Sequence, residues 1–429
     1  MSRLSRRTFL GASGSVLALA AMGRPAFAQI ADIRHFWWGN PERDKRTLAV
    51  IDIFNGKNPS IKVSGETLGF ADYFTKLTTQ IAGGNMPDVI QQGYGVLFEY
   101  IANGAVVPLD EFVGKSLDIS KIDQSAIDAG TVDGKFYALS IGANSHMAVY
   151  NTRLFEEAGI KVGEDFDPYG YTYDQLAEIA AEVKKATGVP GTDDNTADYQ
   201  NFSDFTVQKG ANLYNEDSSY GPTQEIVEEY FATWEKIRNA GGTPAGAESA
   251  GLSGVSDLAA QGVVTGKSAM TYLWSNQLVG IQGLMQDALG CAMYPNTAEM
   301  RPGSVVQPSQ FVCLTRDSKN PEAATAYMSA FVNDLDMTKI LGLERGIPSQ
   351  SDVRAALQPQ LSEVEARSVE FFDKIQGKTA ALTAPPPSGS GEVEQTFERL
   401  AVGVLLGERS ISEVASDFVS QAQAILRRA

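Results

Sequence analysis

The feature that most constrains this chain is an alternation of short apolar strands with helical stripes along its N-terminal third. Ile33 to Trp38 reads as a strand, and Leu48, Ile51 and Phe54 then recur on one helical face. That helix must stop before Pro59, and Ile61-Lys62-Val63 alternates as a second strand. Phe74, Leu77 and Ile81 stripe a second helix closed by Gly83-Gly84. Asp88-Val89-Ile90 makes a third strand that runs into a Gln91-Gln92-Gly93-Tyr94 loop. Strands spaced by helices in this way predict an α/β fold built on a mostly parallel sheet.

Further along, the pattern changes but does not break. Thr172 and Gln175 form a capping box ahead of Leu176, Ile179, Ala180 and Val183. A polar, turn-rich stretch from Gly188 to Asn201 follows. Ile226, Val227, Tyr230, Phe231, Trp234 and Ile237 then give a broad apolar face ended by Gly241-Gly242. Ser268 to Trp274 reads as a strand, with a helix expected from Asn276 to Gln286. Strand (Val312 to Leu314) and helix (Glu322 to Val332) return after Pro295, and the C-terminal stretch is helical apart from the Pro385-Pro386-Pro387 break.

The first 28 residues are read as an export leader and set apart from the fold. Ser5-Arg6-Arg7-Thr8-Phe9-Leu10 precedes an uncharged stretch, and Ala26 and Ala28 flank Phe27 in the form a signal peptidase cleaves. The arginine pair points to the twin-arginine route, although Gly11 stands where that motif usually has lysine. Outside the leader, no apolar run approaches the roughly 20 residues of a membrane span. The roughly 400 residues left are enough for two domains. Loss of Arg3, Arg6, Arg7 and Arg24 takes the net charge from −17 to −21, which offers no basic face to nucleic acid. Cys291 and Cys313 are the only cysteines, and an oxidising compartment would permit a bridge or leave two small apolar side chains.

Enzyme signatures are scarce. His35 and His146 are the only histidines, which leaves little for a metal centre or a serine triad. There is no nucleophile elbow and no phosphate loop, and Gly93-Tyr94-Gly95 lacks the third glycine of a dinucleotide fingerprint. Asp193, Asp194 and Asp198 have no regular ligand spacing and read as a solvated loop rather than a calcium site. No cofactor or metal is expected. A glycosidase-type carboxylate pair stays open, because acids are plentiful.

Taken in order, the motifs resemble the extracellular solute-binding proteins that feed carbohydrate ABC transporters. The residues carrying the resemblance are Phe36-Trp37-Trp38-Gly39, Phe54-Asn55, Asn58-Pro59-Ser60-Ile61-Lys62-Val63, Tyr73 to Gln80 and Ala82-Gly83-Gly84-Asn85-Met86-Pro87-Asp88-Val89. Gly104-Ala105-Val106-Val107-Pro108-Leu109-Asp110, Asp133-Gly134-Lys135-Phe136-Tyr137, Val149-Tyr150-Asn151 and Leu154-Phe155 continue it. Gly266-Lys267-Ser268-Ala269-Met270 and Glu344-Arg345-Gly346-Ile347-Pro348 close the set. Each motif is weak alone, and their order spans nearly the whole chain after the leader. The Trp37-Trp38-Gly39 start is similar to the branch that takes up plant cell-wall oligosaccharides and sugar acids.

The resemblance implies a two-domain periplasmic-binding fold of type II with ligand in the cleft between lobes. One lobe would take residues 29–142 and 296–335, the other 145–292 and 337–429. Ligand would close the hinge, and a membrane permease with ATPase partners would receive the closed monomer. In this reading the protein is periplasmic and carries out no catalysis.

A sugar presents flat C–H patches and a rim of hydroxyls, so its site needs aromatic faces and planar polar groups. Trp38 and Trp274 each end a strand, where open sheets place ligands, or else pack in the core. One of Trp37 and Trp38 should point inward, and Trp234 lies in a structural stripe. Asn40 follows the first strand, and Gln92 and Tyr94 lie in the loop after the third. Asn144 stands at the first crossover, where the resemblance implies a ligand contact. Tyr199 and Asn201 fall in the second lobe's cleft loop, and Gln307 and Gln310 precede a strand. Arg345 is either a forked partner for a ligand carboxylate or an inter-domain salt bridge. A polyamine or iron ligand, and a secreted glycoside-active enzyme, are the competing readings.

Overall fold

The computed structural model describes residues 30–39, 41–215, 217–252, 257–375, 377–382 and 386–428. The leader and Asn40 lie outside the described residues. The chain folds as a mixed α/β structure in which, among the described residues, nine strands are joined by helices packed on both faces of the main sheet. The strands are β1 (Ala31–Trp38), β2 (Ile61–Leu68), β3 (Val89–Gln92), β4 (Thr131–Val132), β5 (Lys135–Phe136), β6 (Ala138–Asn151), β7 (Met270–Trp274), β8 (Leu289–Ala292) and β9 (Val306–Leu314).

The opening alternation yields what its pattern demands. Helices α1 (Pro41–Lys57), α2 (Phe70–Ala82) and α3 (Tyr94–Ala102) link or follow β1, β2 and β3. β1 pairs in parallel with both β2 and β3. The expected mostly parallel sheet stops there, because β9 returns antiparallel against β3 and β6 runs antiparallel to β9. Along β1 the pleat sends Ile33 and Trp37 to one core and Phe36 and Trp38 to the other, so both tryptophans are buried rather than one. In α1, Val50, Ile51 and Phe54 face inward, whereas Leu48 turns outward with 45% of its surface exposed.

β6 is the element that joins the halves of the molecule. Its first half, Ala138 to Ser145, pairs with β9. Its second half, His146 to Asn151, lies between β7 and β8, antiparallel to both. The register shifts between Ser140 and Ala143, so the strand carries a bulge at Gly142. Buried apolar residues sort in the same way. Two clusters draw on residues from 33 to 139 and from 311 to 341, and two others on residues from 147 to 294 and from 343 to 425.

α4 (Gln124–Ala129) precedes the β4–β5 hairpin, and α5 (Thr152–Glu157), α6 (Tyr173–Thr187), α7 (Tyr199–Gln208) and α8 (Gln224–Asn239) follow β6. α6 starts on the expected capping box, with both reciprocal hydrogen bonds present. The helix expected from Asn276 shortens to Leu278–Gln282. The polar stretch before α7 is not solvated, contrary to the sequence expectation. Thr192, Asp193, Asp194, Asn195 and Thr196 are all buried. Thr271 donates to Asp193 at 2.5 Å, Arg238 pairs with Asp194 at 3.2 Å, and Asp198 caps α7 through the Asn201 amide at 2.7 Å. Burial costs these acids so much that each needs a partner, and it pushes Asp193 up to about 6. Among the described residues there is no cluster of His, Cys, Asp and Glu able to hold a metal ion. No described helix is long and apolar enough to cross a membrane.

Candidate functional site

A cavity of about 170 Å³ opens where elements from both halves meet. Tyr94, at the first turn of α3, forms one wall. His146 of β6 and Trp274 of β7 are cross-strand partners and line it together. Gly303 and Val305 enter on the approach to β9, Gln307 belongs, like Gln310, to β9 itself rather than to the segment before it, and Leu382, Pro386, Ser390 and Glu394 come from the C-terminal region. α7 supplies Tyr199, Gln200, Ser203, Asp204 and Val207. The last four follow the i, i+3, i+4, i+7 spacing that puts side chains on one helical face. Phe202 and Phe205 leave from the other side of α7 into the core.

The strongest polar element is a buried histidine–carboxylate pair. His146 Nδ1 lies 3.0 Å from both carboxylate oxygens of Asp204, and Ser304 Oγ donates to Asp204 Oδ2 at 2.6 Å. A carboxylate only accepts, so Nδ1 must be the donor. Burial works against charge on His146, but the carboxylates of Asp204 and Asp198, the Asp204 hydrogen bond and the nearby Gln200 side chain outweigh it and raise its pKa. Nε2 meets no hydrogen-bond partner among the described residues. The order Ser304–Asp204–His146 is not that of a serine triad, because the hydroxyl sits on the carboxylate rather than on the far ring nitrogen.

Aromatic faces complete the lining. The His146 ring lies 4.2 Å from Trp274 and stacks on Tyr294 at 5.2 Å. Tyr199 and Tyr214 share a 3.0 Å hydroxyl contact at the rim. Gln200 Nε2 donates to Glu394 Oε1 at 3.3 Å, and burial raises the Glu394 pKa against that bond. Among the described residues, no lysine or arginine lines this cavity.

Of the residues singled out from sequence, the structure brings Tyr94, Tyr199, Trp274 and Gln307 together here. Asn144 lies one step away at the crossover, beside Ser275, Gly346 and Ile347. Trp38 sits in the first core, 5.1 Å from Tyr73 and 5.6 Å from Phe70 and Phe74. Gln92 belongs to β3 rather than to a loop and is fully buried beside Tyr100. Asn201 is buried, with Oδ1 accepting from Trp234 Nε1 at 3.0 Å and Tyr173 at 3.2 Å. Arg345 is 4% exposed, its NH1 donating to Gln91 and to Gln310 at 3.2 Å, its NH2 to Thr47 at 2.8 Å. Sequence reasoning missed His146, Gln200, Ser203, Asp204 and Glu394. The helical spacing of the α7 residues was the available signal. For His146, the signal was its two-residue step from Asn144 along one strand.

A larger cavity of about 520 Å³ shares Gln307 and Leu382 with this one. It lies between α4 and the helix Glu363–Ile375, and its Arg354 is already paired with Asp123 at 2.8 Å. Phe372 is the only aromatic residue in its lining among the described residues. The smaller cavity, with stacked rings and converging polar groups, is therefore the candidate site.

Comparison with known proteins agrees with this architecture. The family model described as bacterial extracellular solute-binding protein matches residues 49–366. A Brucella abortus (strain 2308) protein named in general terms as a binding protein is 27% identical over 231 residues, covering 52% of this chain and 54% of that protein. The multiple sugar-binding protein of Streptococcus mutans is 26% identical over 179 residues, covering 41% of this chain and 40% of that one. The chain thus spans about half the length, or less, of the curated relatives it matches. A solved family 1 extracellular solute-binding protein from Alicyclobacillus acidocaldarius superposes with a TM-score of 0.80 at 28% identity, covering 92% of this chain and 98% of that one.

Proposed function

This chain belongs to the bacterial extracellular solute-binding proteins, and we propose that it captures a carbohydrate for an ABC importer. The observation that carries this reading is the cavity itself. Tyr94 from one half faces Tyr199, Tyr214 and Trp274 from the other, with Gln200, Ser203 and Gln307 between them. Aromatic faces cover sugar C–H patches, and amides and hydroxyls satisfy the hydroxyl rim. The name of the Streptococcus mutans relative supports the same ligand class.

In this proposal residues 29–142 with 296–335 form one lobe, and 145–292 with 337–429 form the other. Ligand binds both walls and closes them, and the permease subunits receive the closed monomer. The protein works outside the cytoplasmic membrane, in the periplasm, and Arg6-Arg7 commits it to twin-arginine export. Asp204 is held by His146 and Ser304 with its side chain only 3% exposed, which favours binding over a glycosidase role for it.

A thermal-shift screen tests the reading. The panel holds neutral oligosaccharides, uronates, polyamines and ferric citrate. A carbohydrate at about 100 times its Kd should stabilise by roughly 2.7 kcal/mol, a rise of a few degrees. Trp274→Ala should abolish that rise. A response to polyamine or iron alone would overturn the carbohydrate assignment.

A further inference from the structure

We propose that the cavity selects an uncharged saccharide over an acidic one, and that His146, oriented by Asp204, is its specificity-determining residue. This rests on the carbohydrate reading above and names the class of sugar. The argument begins with charge. Asp204, Glu394 and His146 are the ionisable acid and base groups of the lining, and no lysine or arginine joins them among the described residues. Arg345, which alone among the residues marked from sequence could have forked onto a carboxylate, spends NH1 and NH2 on Gln91, Gln310 and Thr47 inside the protein. A uronate entering this space would meet two acids and one imidazole already engaged by Asp204. It would lose its hydration without gaining a counter-ion.

Hydroxyls meet the opposite situation. His146 is 4% exposed and lines the cavity beside Gln200, and its Nε2 makes no close hydrogen bond among the described residues. Nδ1 is fixed at 3.0 Å from both Asp204 oxygens, and the ring is held between Trp274 and Tyr294. The imidazole is therefore locked in orientation, and Nε2 is left as the unsatisfied ring nitrogen of a residue that lines the cavity. Nε2 accepts a hydrogen bond from a sugar hydroxyl when the ring is neutral and donates one to it when the ring is protonated, so a hydroxyl, which can do either, suits both states. A buried polar atom of this kind discriminates strongly, because a ligand lacking a hydrogen-bonding group there leaves it unsatisfied. Asp204 acts through His146 and is a positioning residue.

The experiment is titration calorimetry on the purified protein with maltose, cellobiose and galactobiose, their acidic counterpart digalacturonate, and the basic disaccharide of glucosamine. A neutral disaccharide should bind, with digalacturonate at least 100-fold weaker. His146→Ala should weaken the neutral ligand 10-fold or more, and His146→Gln, which keeps an N–H donor, should recover part of the loss. Asp204→Asn should weaken binding in the native background and have no further effect in His146→Gln, a pattern that a merely structural role would not give. Each variant is checked for an unchanged circular dichroism spectrum, and His146→Gln serves if His146→Ala does not fold. Tighter binding of digalacturonate or of the glucosamine disaccharide would overturn the charge argument and leave the carbohydrate reading intact. Unchanged affinity in both His146 variants would overturn the role of His146. Binding of no carbohydrate at all would overturn both this proposal and the reading beneath it.

Discussion

The two histidines carry opposite electrostatics, and each sets a consequence for the whole chain. His35 is buried on β1, with Nδ1 2.9 Å from the Tyr327 hydroxyl. Burial, and then the charge of Arg345, lowers its pKa from 6.5 to about 3. Between those values the unfolded chain holds a proton at this position that the folded chain does not. Stability must therefore fall as pH drops through that window, by roughly 1.4 kcal/mol per pH unit from this one group. His35→Gln should cost about 1 to 2 kcal/mol at pH 7 and flatten the decline below pH 6. Urea denaturation of both proteins at pH 7, 5.5 and 4.5 reads the difference, and parallel slopes would refute the assignment. Residue identity alone could not separate the histidines, since only the fold puts a carboxylate beside His146 and an arginine near His35. The same limit explains the site residues. Tyr94, Tyr199 and Trp274 reach the cavity lining from element ends, but Trp38, which also ends a strand, packs in the core, so position at an element end marks candidates without sorting them. Arg345 and Asn201 were not legible, because polar side chains that tie up a core look like polar side chains that wait for a ligand.

At the scale of elements, the central device is the bulged strand β6 and the segment that crosses it. Ala143 and Ile347 exchange backbone hydrogen bonds of 2.7 and 3.0 Å, which brings two chain segments into close contact at Gly346. Gly346 has a φ of 98°, and a Cβ there would lie 2.7 Å from the Ala143 carbonyl oxygen. Neither the dihedral nor the backbone neighbour can give way cheaply. Gly346→Ala should thus cost about 2 to 3 kcal/mol. Gly56, exposed in α1 with nothing within 4 Å of its missing Cβ, gives the contrasting case. Gly56→Ala should be neutral or stabilising by up to about 1 kcal/mol. Chemical denaturation measures both, and equal effects would show that the crossover is not the constraint. The helices and the parallel strands were readable because their periodicities are local. The bulge and the continuous run of β6 through two pairings were not, since register against β7, β8 and β9 is fixed by segments more than 100 residues away.

For the whole molecule the open issue left by the sequence was whether Cys291 and Cys313 are bridged. Sheet register decides it. Cys313 on β9 stands opposite Ala138, near the start of β6, and Cys291 on β8 stands opposite Val149, near its end. At about 3.3 Å per residue the two positions are separated by on the order of 30 Å, whereas a disulfide needs Cα atoms within about 7 Å. A bridge would also tie a strand of one half to a strand of the other, and two free thiols leave the halves uncoupled, as the proposed closure needs. Burial pushes the Cys291 thiol up to about 12 and raises that of Cys313 as well, which leaves little thiolate at neutral pH. Two outcomes follow for protein purified without reductant. Native protein should react slowly with a thiol reagent, and urea-unfolded protein should release two equivalents. Its Tm should be the same with and without dithiothreitol. A drop in Tm on reduction would mean that the halves are covalently joined and that β6 does not hold the register that places the cavity between them.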